Sequence, residues 1–386
     1  MPKPQPHNPV QAAVTAWIAS IPPPADQDAA DWEAALLSSA PKRFTIYEPM
    51  ALLPSGSFSN STWAATLSRC DASARESLWS LLLQELTKVA KGPLTNLAIN
   101  EGIPLQKDGA GEENILRSPS GLHMLHGDFG AGSTTDDQPT AEDFESAFWV
   151  STKQNGIHQT WSPRWTMFSR GNVKEKARLL DFNRAHAGNR TSKGKEAEWA
   201  VDLYAGIGYF VFSYASLGFK VLGWELNPWS VEGLRRGAKA NKWSIKVIRG
   251  DDLTLPLEQL MSGNEQIIIF QEDNQKAQQR LAQMQAELGE AEDIRHVNGG
   301  FLPTSEPTWR ESWEMTQHSP QAWLHLHENV AVADIASRRG KIEDLFKQWS
   351  ASEDSKREVF ASHVEQVKTF APGVWHCVFD VSITRL

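Results

Sequence analysis

Thiols are nearly absent: Cys70 and Cys377 are the two cysteines among 386 residues. Two cannot build a disulfide framework, and with no CxxC or Cys/His spacing to hold zinc they are expected as free, packed thiols in a reducing compartment. Long apolar runs are missing too. Nothing approaches the roughly 18–20 residues that a membrane span needs, and the N-terminal MPKPQPHNPV lacks the apolar stretch of a signal peptide. A cytoplasmic chain with no membrane partner is the expectation. Positive charge is also short: 38 Lys and Arg against 47 Asp and Glu give a net of −9, which speaks against indiscriminate nucleic-acid binding. Tyrosine is scarce at 4 while tryptophan reaches 16; without fixed spacing the tryptophans read as packing residues, not as a repeat. What remains is 40% hydrophobic and 22% charged, a globular chain long enough for two or three domains.

The grammar changes along the chain. Residues 1–43 mix small and polar residues with Ile21-Pro22-Pro23-Pro24, whose prolines cannot continue a helix, and read as an N-terminal extension. Residues 44–165 read as a smaller α+β domain. It holds a strand broken by turns over Phe44 to Phe58, an amphipathic helix over Ser77 to Val89, and short apolar stretches separated by a polar loop from Gly130 to Asp143. From 166 to 386, strands and helices alternate as in a mostly parallel sheet covered on both faces. Asn227-Pro228 offers a capped helix start. Near the end, two apolar runs flanking Ala371-Pro372-Gly373 read as an antiparallel pair at the sheet edge.

One loop stands out. Asp202-Leu-Tyr-Ala-Gly206-Ile-Gly208-Tyr-Phe follows a strand and opens a helix, so its glycines allow a ligand close to the backbone. The third glycine of the dinucleotide fingerprint would fall at Val211, which speaks against a pyrophosphate cradle. Glu225 ends the next strand, where a carboxylate can accept both ribose hydroxyls, and Asp251 ends the third, placed for an adenine amino group. Together they describe a nucleoside pocket without a pyrophosphate site, as S-adenosylmethionine requires; an α/β core with incidental strand-end acids has the same pattern.

A second constellation is Met167-Phe-Ser-Arg-Gly-Asn172-Val-Lys-Glu-Lys176. Asn172 and Glu175 have capping-box spacing, which sets Ser169 and Arg170 just before a helix and Lys176 one turn inside it. Such a start suits a carboxylate or phosphate, and an ordinary capped helix suits the spacing as well. In Trp323-Leu-His325-Leu-His327-Glu328-Asn329 both histidines share one face of a strand. No further ligands at metal spacing accompany them, so no metal is expected, and polar groups at the mouth of the sheet are the alternative reading. Charge is segregated too: residues 161–195 carry a net +7 and residues 230–249 a net +5, leaving −21 for the rest. Basic segments beside a cofactor loop fit an enzyme acting on nucleic acid, or simply solvated helix faces.

MFSRGNVKEK, VDLYAGIGYF, WELNPWSVEGLRRGAKAN, GFLPTSEPTW and WLHLHENV closely resemble the eukaryotic tRNA wybutosine-synthesizing protein 2 family, relatives of the tRNA guanine-N1 methyltransferases acting at position 37. The resemblance runs from about Phe44 to the C-terminus. It implies a class I SAM-dependent, methyltransferase-like (Rossmann-like) α/β fold. It also implies transfer of the 3-amino-3-carboxypropyl group of S-adenosylmethionine onto 4-demethylwyosine in the anticodon stem-loop of tRNA(Phe), by a monomer. Carried over by position, Ser169 and Lys176 contact the donor, Glu225 its ribose, and Asp251 and Asp252 the adenosine end, with Asp202 and Gly206 in the loop. Arg170, Arg235 and Arg236 are the tRNA-facing candidates, and His325, His327 and Glu328 the candidates for a catalytic group. The methyltransferases carry Asn-Leu-Pro where this chain has Phe301-Leu-Pro, which favours aminocarboxypropyl transfer over guanine methylation. A non-catalytic tRNA-binding scaffold is the remaining alternative.

Overall fold

The computed structural model describes residues 8–101, 114, 119, 121–130, 138–186, 197–289, 291, 293–353 and 356–386. The chain divides into two units, Met1–Thr152 with Trp161–Phe168, and Lys153–Thr160 with Ser169–Leu386.

The first unit begins with α1 (Pro9–Ile18) and α2 (Ala29–Ser39), followed by β1 (Thr45–Tyr47), β2 (Met50–Leu53), α3 (Ser61–Arg69) and α4 (Ala72–Thr87). It continues with β3 (Asn96–Ile99), β4 (His123–His126) and α5 (Ala141–Ser146). Asn8, Asp28, Asn60 and Asp71 cap the four long helices through their side-chain oxygens, satisfying N–H groups that have no partner inside the helix. The four strands form one sheet in the order β1-β2-β3-β4. Residues 8–40 are no loose extension of this unit. Trp17, Trp32 and Leu36 join Trp63, Leu78, Leu82 and Leu86 in one core, with Trp17 and Trp63 stacked at 5.7 Å. Much of the loop expected from Gly130 to Asp143 lies outside the described residues, and its end is a capping box, Thr140 with Asp143, that starts α5.

A two-stranded hairpin, β5 (Val150–Gln154) and β6 (Ile157–Trp161), comes next. The second unit then runs α6 (Val173–His186), β7 (Trp199–Asp202), α7 (Val211–Ser216), β8 (Lys220–Trp224), α8 (Pro228–Ala240), β9 (Ile245–Ile248), α9 (Leu257–Leu260) and β10 (Ile267–Phe270). After these come α10 (Ala277–Gln283), β11 (Ile294–Gly299), α11 (Trp309–Met315), β12 (Gln321–Ala331), α12 (Ile335–Ser352), β13 (Arg357–Ala371) and β14 (Val374–Arg385). Asn227 caps α8 with Pro228 in its first turn, as its sequence signals. The sheet order is β13-β14-β12-β11-β7-β8-β10-β9. β9 through β12 are mutually parallel along that order, and β14 and β13 close the edge antiparallel.

Alternation along the strands explains the two-sided cover. Trp199, Val201, Leu222 and Ile268 enter one apolar cluster, whereas Ala200, Val221, Ile267 and Ile269 enter another, because successive side chains point to opposite faces. The glutamine-rich segment after β10 forms α10, whose Ala277 and Leu281 are buried against the first cluster. Strand order reverses between β7 and β11, the place where open α/β sheets bind ligands, beyond the carboxyl ends of their strands.

Candidate functional site

At the carboxyl end of β7 the glycine loop turns through Gly206 (φ +53°) and Gly208 (φ +92°), where a Cβ on Gly208 would lie 2.6 Å from the Phe212 ring. Only glycine combines that conformation with that packing. The N–H of Gly206 donates to Glu225 Oε2 at 2.8 Å and that of Asn227 to Oε1 at 2.8 Å. Two backbone donors thus fix the carboxylate at the end of β8 while each oxygen keeps lone-pair capacity for a further donor. Burial raises the Glu225 pKa, and these N–H groups counter it.

Asp202 lies deeper. It is fully buried, accepting from Asn298 Nδ2 (3.1 Å) and the N–H of Tyr204 (3.2 Å). Burial pushes it up to about 6, against the help of those bonds. It therefore braces the loop and β11. Asp251 and Asp252 sit in a single 3-10 turn, Gly250–Thr254, after β9, with exposed side chains.

The α6 approach differs from its expected form. A 3-10 turn, Arg170–Asn172, precedes the helix, and Ser169 Oγ, not a backbone N–H, donates to Asn172 Oδ1 at 3.4 Å. Glu175 does not close a capping box, because its carboxylate is buried and gripped by Arg178 Nε (2.9 Å) and Nη2 (2.6 Å). Ser169 still reaches the loop: its N–H donates to Tyr209 Oη at 2.8 Å. Lys176 is buried under the same tyrosine, its ammonium 5.6 Å from the ring centre and donating to Gln154 Oε1 and Gln159 Oε1, both at 2.7 Å. Burial among neutral acceptors pushes it down to about 8. Ser169, Lys176, Gly206 and Glu225 are thus gathered around Tyr209 and the glycine loop. Sequence reasoning missed Gln154, Gln159 and, above all, Lys368 on β13, whose ammonium donates to Ser169 Oγ at 3.1 Å; 199 residues separate those two, and nothing local signals the contact.

His325, His327 and Glu328 lie within β12, with the His327 ring 5.3 Å from that of Phe210 in the glycine-loop motif. They are 1%, 1% and 3% exposed. His325 Nδ1 meets Asp380 Oδ1 at 2.7 Å and its Nε2 meets His296 Nδ1 at 3.0 Å. Asp380 in turn binds Arg178 Nη1 at 2.5 Å, so Glu175, Arg178, Asp380, His325 and His296 form one buried chain. Burial opposes ionisation of Asp380, but His325 and Arg178 outweigh it and hold the carboxyl well below its ordinary range. His327 Nδ1 pairs with His376 Nε2 at 2.9 Å. Burial lowers both pKa values, His376 to about 4, leaving a neutral pair. Glu328 is clamped by Arg338 (2.6 Å) and Thr304 (2.7 Å). The histidine bonds tie β11, β12 and β14 together side by side. Among the described residues no cluster of His, Cys, Asp and Glu could hold a metal ion, and no helix is long and apolar enough to cross a membrane.

The tRNA-facing arginines are distributed unequally. Arg235 and Arg236 share the carboxylate of Glu232 at 2.6–2.8 Å, which reduces three charges to a net +1. Arg170 is exposed in the turn before α6. Within the first basic segment Lys176 and Arg178 point inward, while Arg190, Lys193 and Lys195 lie outside the described residues.

Residues 151–272 match the TRM5/TYW2 methyltransferase domain. The fold is similar to that of Pyrococcus horikoshii TYW2 solved with MeSAdo, with a TM-score of 0.57 at 15% identity over 97% of this chain and 100% of that one. It is also similar to Trm5b from Pyrococcus abyssi, at 0.50 and 13% over 91% and 78%. The tRNA wybutosine-synthesizing protein 2 of Schizosaccharomyces pombe is 38% identical over 344 residues, covering 88% of this chain and 72% of its own length. That of Saccharomyces cerevisiae is 34% identical over 383 residues, covering 90% and 75%. With a class I SAM-type sheet, the glycine loop and its strand-end carboxylate in place, the chain belongs to the tRNA wybutosine-synthesizing protein 2 family.

Proposed function

We infer that the second unit is the catalytic domain of an aminocarboxypropyl transferase that uses S-adenosylmethionine and acts on 4-demethylwyosine at position 37 of tRNA(Phe), in the cytoplasm. The observation carrying this is the 38% identity to the Schizosaccharomyces pombe tRNA wybutosine-synthesizing protein 2 across 72% of its length, joined to a loop and carboxylate arrangement suited to an adenosyl group. Glu225 would accept the ribose hydroxyls, Gly206 and Gly208 would let the ligand approach the backbone, and Asp251 and Asp252 stand at the adenine end. Ser169 and Lys176 would face the methionine arm. Arg170, Arg235 and Arg236 would meet tRNA phosphates.

S-adenosylmethionine, when bound, supplies a sulfonium that makes its adjacent carbons electrophilic. A carbon of the base bonds to the γ-carbon, the C–S bond breaks with its electron pair going to sulfur, and the base carbon loses its proton. The protein's task is alignment at about 3–3.5 Å. Incubation with S-adenosylmethionine and tRNA(Phe) bearing the tricyclic precursor tests the reading. Methylthioadenosine is the expected by-product; S-adenosylhomocysteine would instead indicate methyl transfer, and neither, with tRNA bound, a scaffold.

A further inference from the structure

β13 runs along the sheet edge and sends Lys368 back over the 3-10 turn before α6. Its side chain packs on Gly171 so closely that a Cβ there would lie 2.4 Å from Lys368 Cδ and 3.0 Å from Nζ. The ammonium is half-buried and donates to Ser169 Oγ at 3.1 Å. Among the described residues no carboxylate pairs with it, and burial alone lowers its pKa. A cation taken partly out of water and given only a hydroxyl is under-compensated. By contrast, Arg178 has two carboxylates and Lys176 two amide oxygens.

Position gives this cation a meaning. A continuous line of contacts leads from it across the loop: Lys368 Nζ to Ser169 Oγ, the Ser169 N–H to Tyr209 Oη, the Tyr209 ring against Gly206 at 3.2 Å from where a Cβ would sit, and the Gly206 N–H to Glu225. Glu225 and Lys368 thus stand at the two ends of this line of contacts through the glycine loop. A donor with its ribose at Glu225 has its other terminus, an α-amino acid, directed along that line. The anion at that terminus is a carboxylate.

We propose that Lys368 is a further substrate-binding residue, whose ammonium, held by Ser169 Oγ with its stem packed on Gly171, pairs with the α-carboxylate of the adenosyl donor. This rests on the adenosyl-donor reading above. Because the carboxylate travels with the transferred group, Lys368 would hold the reactant arm and lose its partner once the product departs, favouring the amino-acid-bearing donor over the spent nucleoside.

Lys368→Met keeps the packing on Gly171 and removes the charge. Calorimetric titration with S-adenosylmethionine and, separately, with methylthioadenosine, which has the adenosine but not the arm, reads the effect. The expected result is S-adenosylmethionine affinity lowered roughly 10–100-fold, with methylthioadenosine affinity unchanged within about twofold and KM for tRNA unmoved. Equal losses for both ligands would make Lys368 a packing residue and overturn the proposal. Unchanged donor affinity with a raised KM for tRNA would reassign the ammonium to an RNA phosphate and overturn it too. A wild-type protein binding neither nucleoside would overturn the underlying reading, an outcome distinct from either of these.

Discussion

The second unit holds polar residues in strands at two kinds of place, and they do different things. Glu225 follows the last residue of β8, and Asp202 is the last residue of β7; both stand where the sheet opens. His325, His327 and Glu328 lie within the eleven residues of β12, flanked by β11 and β14. Strand ends free a carboxylate to meet a ligand. Strand interiors surround it with neighbouring side chains, so each polar group must find its partner inside the protein. Strand position alone does not separate them: Glu225 keeps lone-pair capacity at its strand end, whereas Asp202 at the end of β7 is fully buried and braces the loop.

The largest break of this contrast should come at Asp380. Asp380→Leu leaves His325 without its anion and Arg178 with Glu175 alone, and a loss of about 3–5 kcal/mol in denaturant unfolding is expected. Donor binding per folded molecule should survive; if it fails while stability holds, the buried chain belongs to the site after all.

Next comes acid sensitivity. His376 binds its proton only at about pH 4 when folded, against 6.5 ordinarily. The unfolded chain therefore holds more protons between those values, and stability falls as pH drops from 6.5 towards 4, by on the order of 2–3 kcal/mol. Replacing both members of the pair, His327→Phe with His376→Leu, should flatten that limb of the unfolding profile without changing the by-product of the reaction. A retained limb would place the titrating groups elsewhere.

At the strand end the expectation reverses. Glu225→Gln should weaken S-adenosylmethionine by roughly 1.5–2 kcal/mol, or 10–30-fold, while shifting the unfolding midpoint little. Calorimetry alongside thermal melts would reveal whether stability, not affinity, is what changes. The smallest effect should belong to the paired arginines: because Glu232 already offsets one charge, Arg235→Gln with Arg236→Gln should reduce the salt dependence of tRNA binding by about one phosphate contact and not two.

Much of the second unit was legible because its signals are local. Strand–helix alternation, Asn227-Pro228, the glycine loop and the terminal hairpin each declare themselves within a dozen residues. Long-range requirements were not. Glu175 has capping-box spacing after Asn172, yet Arg178 takes its carboxylate, and Arg178 is there because Asp380, 202 residues away, needs a cation. His325 and His327 look like an exposed catalytic face until β11 and β14 are laid beside β12. Residues 8–40 read as an appendage because their few large apolar residues are spaced too widely to suggest a core of their own; Trp17 and Trp32 complete one that later helices begin.

Helix α6 joins both kinds of place. Glu175 and Arg178 bolt it to the sheet interior, while Lys176 and the preceding Ser169 work at the loop. Neighbours in the chain thus serve as anchor and tool. The helix behaves as a keyed shaft: a rotation of one residue's worth, about 100°, would withdraw the lysine from Tyr209 and strand the arginine together. Transplanting this loop and helix onto another sheet therefore requires carrying the hidden key, Asp380 and its histidine, along with the visible residues.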